Sequence, residues 1–175
     1  SSKSRKLIFK SQEDDVRLVF VKASDVDIYV EKGACDIGIC GKDTLLENLP
    51  DVYEMMDLGF GKCKFAVAAL KDFVRKPDRK TIVATKYVNV AKSYFERKGE
   101  PIEIVRINGS VELAPLMGLS DVIVDIVETG TTLKENGLVI TEEISDVSAR
   151  LIVNKASLKT KKEEIIIHHV SDKIK

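Results

Sequence analysis

Short runs of β-branched apolar residues alternate along the chain with segments whose apolar residues recur at helical spacing. The first pattern is typical of strands and the second of helices, so their alternation predicts βαβ units and a mainly parallel sheet. Predicted strands cover residues 17–23, 35–40, 62–70, 81–86, 102–107, 121–127 and 149–154. Predicted helices cover residues 24–33, 42–48, 89–99, 110–119 and 131–137, and the Lys- and Glu-rich tail from Ala156 is helical in pattern.

The polar segment 71–80, "KDFVRKPDRK", is interrupted by Pro77 and is typical of a boundary between two lobes. Residues 71–149 contain enough strand and helix pattern to form a sheet of their own, which we designate lobe II. Residues 1–70 together with 150–175 are predicted to form lobe I. Ligands of open α/β sheets bind at the carboxyl ends of strands, so a cleft between the lobes is the expected ligand site.

Composition excludes some classes of partner but does not identify the function. The 28 basic and 28 acidic residues balance, which argues against nucleic acid or an anionic membrane as a partner. Two of the three cysteines lie in apolar runs, where buried thiols are expected more often than metal ligands. No apolar run approaches the roughly 18 residues of a membrane span, and no signal peptide is visible, so a cytoplasmic protein is expected.

The stretch 125–133, "DIVETGTTL", carries the strongest chemical signal. Strand alternation puts Val122, Val124 and Ile126 on one face, and Asp125 on the other, at the carboxyl end of the strand. A carboxylate among apolar side chains is costly to bury unless it is hydrogen-bonded or near the edge of the sheet. Glu128 follows. Gly130 then lets a ligand approach the backbone closely. Three hydroxyl side chains around it can donate hydrogen bonds, those of Thr129, Thr131 and Thr132.

Backbone N–H groups at the start of the following helix, together with these hydroxyls, would bind a phosphate. The two carboxylates would accept hydrogen bonds from sugar hydroxyls, so the stretch favours a ribose phosphate over a bare anion. An alternative leaves Thr132 as a helix N-cap, Gly130 as a turn residue and Glu128 in solvent. A triphosphate-binding P-loop is not expected, because no Lys-Ser/Thr pair follows the glycine.

These residues closely resemble the ATP phosphoribosyltransferase family. The resemblance rests on "NGSVELAPLMGLSDVIVDIVETGTTLKENGL", "GACDIGICGKDTLLE", "DLGFGKCKFAVA" and "TIVATKYVNVAKSYFERKG", and it extends from "SRKLIF" to about Lys162. It implies a two-lobed α/β fold of the periplasmic-binding-protein type II class. The implied reaction joins N1 of the ATP adenine to C1 of 5-phosphoribosyl-1-pyrophosphate with Mg²⁺, releases pyrophosphate, and begins histidine biosynthesis.

By motif, the resemblance implies that residues 128–132 bind the 5-phosphate and, with Asp125, the ribose hydroxyls. Carboxylates beside C1 would stabilise positive charge in the transition state, and no general base is required because adenine N1 already has a lone pair.

Five further residues are weaker candidates for contacts with ATP or pyrophosphate: Arg5, Lys62, Gly41, Asp43 and Tyr87. Arg5 and Lys62 are expected at the pyrophosphate or triphosphate, and Gly41 and Asp43 at the adenine. Tyr87 is expected to stack or hydrogen-bond across the cleft. A surface charge, a half-buried ring or a simple helix cap is an equally good interpretation of these residues.

The chain lacks the strand and "PKGR"-type loop that usually precede "SRKLIF" in the family, which suggests a shortened or catalytically impaired copy. It also stops soon after "KASLKTKKEE", as does the short form of the family. That form works with a regulatory subunit similar to histidyl-tRNA synthetase, assembles as a hetero-octamer and is feedback-inhibited. A binding or sensor domain without catalysis on the same two-lobed fold is the alternative function, and a non-catalytic subunit is a third.

Overall fold

The structure, a computed structural model, describes residues 6–10 and 16–159. Within these ranges the chain forms ten strands and five α-helices, besides two short 3-10 turns. The strands are β1 (Ile8–Lys10), β2 (Arg17–Val19), β3 (Ile37–Gly41), β4 (Val52–Asp57), β5 (Cys63–Leu70), β6 (Thr81–Thr85), β7 (Ile102–Arg106), β8 (Val122–Val127), β9 (Leu138–Val147) and β10 (Ala149–Asn154). The helices are α1 (Val26–Glu31), α2 (Lys42–Asn48), α3 (Val88–Arg97), α4 (Leu113–Leu116) and α5 (Thr131–Glu135).

A smaller, three-stranded antiparallel sheet has the order β3-β10-β4. Helix α1 packs closely on it because Gly38 in β3 has no side chain. A Cβ at this position would lie 2.7 Å from Cγ2 of Val30 and 2.8 Å from Cγ1 of Val26, one turn apart on α1. Ile152 of β10 completes the same core together with Val30.

A larger, five-stranded sheet has the order β7-β6-β8-β5-β9. Strands β7, β6 and β8 are parallel, whereas β5 is antiparallel to both of its neighbours, so it runs opposite to the other four strands. The expectation of a mainly parallel sheet is therefore wrong: the larger sheet is mixed, because β5 lies reversed between β8 and β9, and the smaller sheet is antiparallel. Both faces of the sheet are covered, one by α3 and the other by α4 and α5.

The predicted lobe boundary at residue 70 disagrees with the hydrogen bonding of β5. Residues 63–70 were assigned to lobe I, but they form an inner strand of the larger sheet. The apolar run "FAVAAL" has the composition of such a strand, and the polar segment after it is a surface loop rather than a lobe boundary. The chain passes between the sheets just before β5 and again between β9 and β10.

The two crossing segments are hydrogen-bonded to each other. The N–H of Leu58 donates to the carbonyl of Ala149 at 2.9 Å, and the N–H of Ala149 donates to the carbonyl of Phe60 at 2.9 Å. They form a narrow two-stranded connection between the sheets.

Several predicted elements are shorter in the structure. The strand predicted at 17–23 is reduced to β2, which pairs with β1 as a separate antiparallel ribbon. The helix predicted at 110–119 is reduced to α4, whose N-cap is Glu112, and Ser110 lies outside the helix with a positive φ of 48°. The tail forms a 3-10 turn at Ser157–Lys159 before the described residues end. No helix in the described ranges has the length and hydropathy to cross a membrane.

Candidate active site

Strand β8 carries the residues that open the candidate site, and it alternates as predicted. Val122 and Val124 pack in the cluster under α3, and Ile123 and Val127 pack in the cluster on the opposite face. Asp125 points to that second face near the carboxyl end of β8, in register with Ala66 of β5. Its carboxylate accepts a hydrogen bond from the N–H of Ile126 at 2.9 Å, so the polar group is partly satisfied.

A cavity of about 400 Å³ lies at this end of β8. It lies within the size range of small-molecule pockets, roughly 300–1,000 Å³. Lys62, Cys63 and Glu112 line the cavity from other segments of the chain. The lining also contains every residue predicted at the phosphoribosyl site, namely Asp125, Glu128, Thr129, Gly130, Thr131 and Thr132. Tertiary structure thus brings the "GKC" and "VETGTT" segments, far apart in sequence, to one place.

The turn between β8 and α5 has a defined internal geometry. Gly130 is the N-cap of α5 and has φ 73°, in the left-handed region that favours glycine. The hydroxyls of Thr129 and Thr131 are 2.9 Å apart, and the N–H of Thr131 donates to Oγ1 of Thr129 at 3.4 Å. Thr132 lies inside the first turn of α5 and is not the N-cap, so the alternative interpretation of Thr132 as the N-cap is wrong.

Electrostatics around Asp125 involve two residues that the sequence did not single out. Burial raises the pKa of Asp125, and the N–H of Ile126 and the ammonium of Lys86 oppose this effect. The negative charges of Glu112 and Asp43 add to the increase in pKa. Lys86 directly follows β6, the parallel neighbour of β8, so the rule that ligand sites lie at carboxyl ends of strands could have found it. Nothing in the local sequence of Glu112 indicates its position.

Asp43 of α2, which follows the smaller sheet's β3, contacts Tyr87, which follows the larger sheet's β6. The hydroxyl of Tyr87 donates to Oδ2 of Asp43 at 3.0 Å. The Tyr87 ring is 5% exposed and packs edge-on against Phe65, with centroids 4.8 Å apart. Burial and the charge of Asp43 raise the pKa of Tyr87 far above its ordinary value. The expected hydrogen bond therefore forms within the protein, and in this conformation the ring is not open to stack on a ligand.

Gly41 supports Asp43 rather than lining the cavity. A Cβ at Gly41 would collide with Oδ1 of Asp43, so the absent side chain makes room for that carboxylate. Asp43 still lies close enough to the cavity for its charge to raise the pKa of Asp125 and of Cys63. Arg5, the remaining candidate, lies outside the described residues.

Of the three cysteines, Cys40 is buried and Cys35 and Cys63 are half-buried, so the expectation of buried thiols holds fully for Cys40. All three are free thiols, and burial raises the pKa of Cys40 to about 12 and also raises the pKa of Cys35 and of Cys63. Across the described ranges, no group of three or more His, Cys, Asp or Glu side chains is arranged to hold a metal ion.

Comparison with known proteins identifies the family. The HisG family model, described as ATP phosphoribosyltransferase, matches residues 22–175. An ATP phosphoribosyltransferase of Clostridioides difficile (strain 630) is 63% identical over 163 residues, 93% of this chain and 78% of that protein. The chain belongs to the ATP phosphoribosyltransferase family. An ATP phosphoribosyltransferase of Bacillus cereus (strain AH820) is 57% identical over 164 residues, 94% of this chain and 78% of that protein.

Solved structures agree with this family and with the expected fold. The ATP phosphoribosyl transferase (HisG:HisZ) complex from Thermotoga maritima is 35% identical, with a TM-score of 0.85, over 99% of this chain and 86% of that chain. The arginine-bound form of truncated ArgBP from T. maritima is 15% identical, with a TM-score of 0.57, over 90% of this chain and 76% of that chain. At that identity the second likeness shows the fold alone, and it confirms the type II periplasmic-binding-protein fold.

Membership of the ATP phosphoribosyltransferase family also decides the class of function. The chain is a pentosyltransferase of the first step of histidine biosynthesis. The alternative of a two-lobed sensor domain without catalysis is not favoured.

Proposed function

We propose that the cavity after β8 binds 5-phosphoribosyl-1-pyrophosphate and presents its C1 to N1 of the ATP adenine. The supporting observation is that one cavity is lined by the 129–132 turn, by the acidic residues Asp125 and Glu128, and by the basic residue Lys62. N–H and hydroxyl donors of the turn suit the 5-phosphate, and the carboxylates suit the ribose hydroxyls. Lys62 supplies a cation for the pyrophosphate, and Arg5 is proposed to do the same.

Bond making and breaking at C1 explain why these groups are useful together. The bond from C1 to the pyrophosphate oxygen breaks, its electrons leave with pyrophosphate, and the N1 lone pair forms the new bond. Positive charge develops on the ribose, and the carboxylates of Asp125 and Glu128 stabilise it. The Ile126 N–H and the Lys86 ammonium favour the ionised form of Asp125 that this role needs, against the effect of burial.

The donor set of the cavity is compatible with Mg²⁺ that arrives with the substrates. Mg²⁺ is usually bound by one or two carboxylates together with substrate phosphates. Asp125 and Glu128 offer such oxygen ligands in the cavity. The ion would neutralise negative charge on the pyrophosphate. Asp125 and Glu128 would hold the ribose side of this assembly.

We place the adenine on the α2 side of the cavity, where Asp43 is the candidate contact. Gly41 is assigned an indirect role, because it makes room for the Asp43 carboxylate. Tyr87 is likewise assigned to act through Asp43, to which its hydroxyl donates.

The regulatory partner is proposed from the T. maritima complex, whose name pairs HisG with HisZ. We propose a subunit similar to histidyl-tRNA synthetase as the partner of this chain, in a hetero-octamer that is feedback-inhibited. A cytoplasmic location is proposed because the chain belongs to a family of biosynthetic enzymes.

Replacing Glu128 by Gln tests the assignment of the cavity. We expect the KM for phosphoribosyl pyrophosphate to rise about tenfold, because the neutral amide accepts a ribose hydroxyl only about half as strongly as a carboxylate does and no longer stabilises positive charge, with little change in unfolding free energy. The measurement is pyrophosphate release by the full-length protein with its regulatory subunit, ATP and Mg²⁺.

Glu135→Gln is the matched control, because Glu135 is an exposed carboxylate of α5 that does not line the cavity. Unchanged kinetics of Glu128→Gln would remove Glu128 from the site. Absence of ATP-dependent turnover in the intact complex would contradict the proposed function.

A further inference from the structure

Helix α2 packs against both sheets at once. Leu45 belongs to the core of the smaller sheet, with Val30 and Ile152. Leu46, the next residue, packs against the core of the larger sheet under α3. Asp43, Leu46 and Glu47 are spaced three and four residues apart, so they share the face of α2 that is turned to the larger sheet. The orientation of the two sheets therefore depends on what this face contacts.

Glu47 and Asn89 connect the end of α2 to the start of α3. Oε2 of Glu47 accepts hydrogen bonds from the N–H groups of Asn89 at 2.8 Å and Val90 at 3.2 Å. In return, Nδ2 of Asn89 donates to the carbonyl of Glu47 at 2.8 Å. First-turn N–H groups and last-turn carbonyls lack partners within their own helix. Each helix therefore supplies hydrogen-bond partners for unpaired backbone groups at the end of the other. The side chain of Tyr87, the N-cap of α3, makes no capping hydrogen bond in the described part of the chain, and Glu47 takes over this role.

The same face of α2 reaches the candidate active site one turn earlier. Asp43 accepts the hydroxyl of Tyr87, and the N–H of Tyr87 donates to Oγ1 of Thr85 at 2.8 Å. Oγ1 of Thr85 in turn donates to the carbonyl of Val124 at 2.6 Å, directly before Asp125. A continuous set of contacts thus joins Glu47, the start of α3 and the end of β8.

We propose that Glu47 is a positioning residue for the transferase reaction. It acts through the start of α3 to hold Asp43, on the adenine side, at a set distance from the phosphoribosyl cavity. This inference rests on the proposed function, because it assigns the two sides of the cleft to the two substrates. Loss of Glu47 should impair productive use of ATP, while binding of phosphoribosyl pyrophosphate at residues 125–132, which lie on β8, α5 and the turn between them, stays unchanged.

Glu47→Ala and Glu47→Gln test this proposal in the full-length protein with its regulatory subunit. We expect Glu47→Ala to lower kcat/KM for ATP at least about tenfold, because two hydrogen bonds to a charged acceptor are lost. The amide oxygen of Gln still accepts both N–H groups, so Glu47→Gln should recover most of the activity. A purely electrostatic role would give the opposite, with Gln as impaired as Ala.

Glu31→Ala is the matched control. Oε1 of Glu31 accepts the N–H of Asp51 at 3.0 Å, a similar carboxylate-to-backbone contact that stays on the side of the smaller sheet. We expect it to change unfolding free energy without changing kcat/KM for ATP. Asn89→Ala removes the reciprocal bond from an exposed side chain and should give an intermediate loss of kcat/KM, even if Glu47→Ala folds poorly.

Calorimetric binding of phosphoribosyl pyrophosphate separates this inference from the proposed function. Wild-type affinity in Glu47→Ala, with reduced kcat/KM for ATP, supports the positioning role. Wild-type kcat/KM for ATP in both Glu47→Ala and Asn89→Ala overturns it, even if Glu128→Gln weakens binding as expected. Unchanged binding in Glu128→Gln would instead remove Glu128 from the phosphoribosyl site, and absence of ATP-dependent turnover in the wild-type complex would overturn the proposed function.

Discussion

Gly130→Ala isolates the contribution of backbone conformation at the phosphoribosyl turn. Gly130 has φ 73°, and an added Cβ would lie 3.7 Å from Cγ1 of Val127, an ordinary contact. The cost of the change is therefore conformational, about 1 kcal/mol for an L-residue in the left-handed region. For a chain of this length, this loss corresponds to a decrease in Tm of about 2–4 °C.

Activity should change more than stability. If the strain is relieved by a shift of the turn, the donors of residues 129–132 move relative to the 5-phosphate. A displacement near 1 Å can cost up to about 100-fold in rate, so we expect at least a tenfold rise in the KM for phosphoribosyl pyrophosphate. Pyrophosphate release by the full-length protein with its regulatory subunit measures this KM, and thermal unfolding measures the stability.

Gly137→Ala provides the control at the other end of α5. Gly137 has φ 71°, no atom lies within 4 Å of an added Cβ, and the residue does not line the cavity. We expect the same decrease in Tm as for Gly130→Ala, with KM values like those of the wild type. An equal rise in KM for both variants would refute the assignment, because the effect would then follow the stability of α5 and not the position of the turn.

Three further substitutions test the electrostatics and the packing. Because burial raises the pKa of Asp125, the folded state loses stability as pH rises through that pKa; Asp125→Asn should stabilise the protein at pH 7, by an amount that shrinks toward about pH 4. Hydrogen bonds from Arg79 lower the pKa of Asp121, so Asp121→Asn should destabilise the protein at pH 7, and this difference from the wild type should disappear only as pH falls below about 4, through the lowered pKa. Urea unfolding at both pH values checks the two signs, and the same sign for both variants would contradict the argument. Gly38→Ala should lower the unfolding free energy by about 1–3 kcal/mol, because α1 must move away from β3; an unchanged urea midpoint would show that α1 does not pack as described.

Local pattern was sufficient where a segment is buried on both faces or carries an unusual combination of residues. The alternation of β8 was predicted correctly, since a central strand must place apolar residues toward both layers. The predicted phosphoribosyl residues line one cavity because they all lie within the short segment 125–132, so local sequence already keeps them together.

Local pattern failed where a long-range contact decided the structure. Strand β4 was missed because most of its residues are exposed, and its pairing partner β10 is nearly a hundred residues away. Strand β5 was assigned to the wrong lobe because its run of apolar residues fits the inside of any sheet, and strand direction is not encoded in such a run. The roles of Lys86 and Glu112 near Asp125 likewise depend on segments that meet only in the folded chain.

The sequence by itself determined the family, the alternating elements and the polar turn after β8, because each depends on residues that are close together along the chain. Tertiary structure decided the partners of those residues. It placed Lys62 in the cavity of the turn, buried Tyr87 against Phe65, and joined α2 to α3 through Glu47. The physical reason is that hydrogen bonds and burial depend on the distance between residues in the folded chain, which cannot be read from their separation along the sequence.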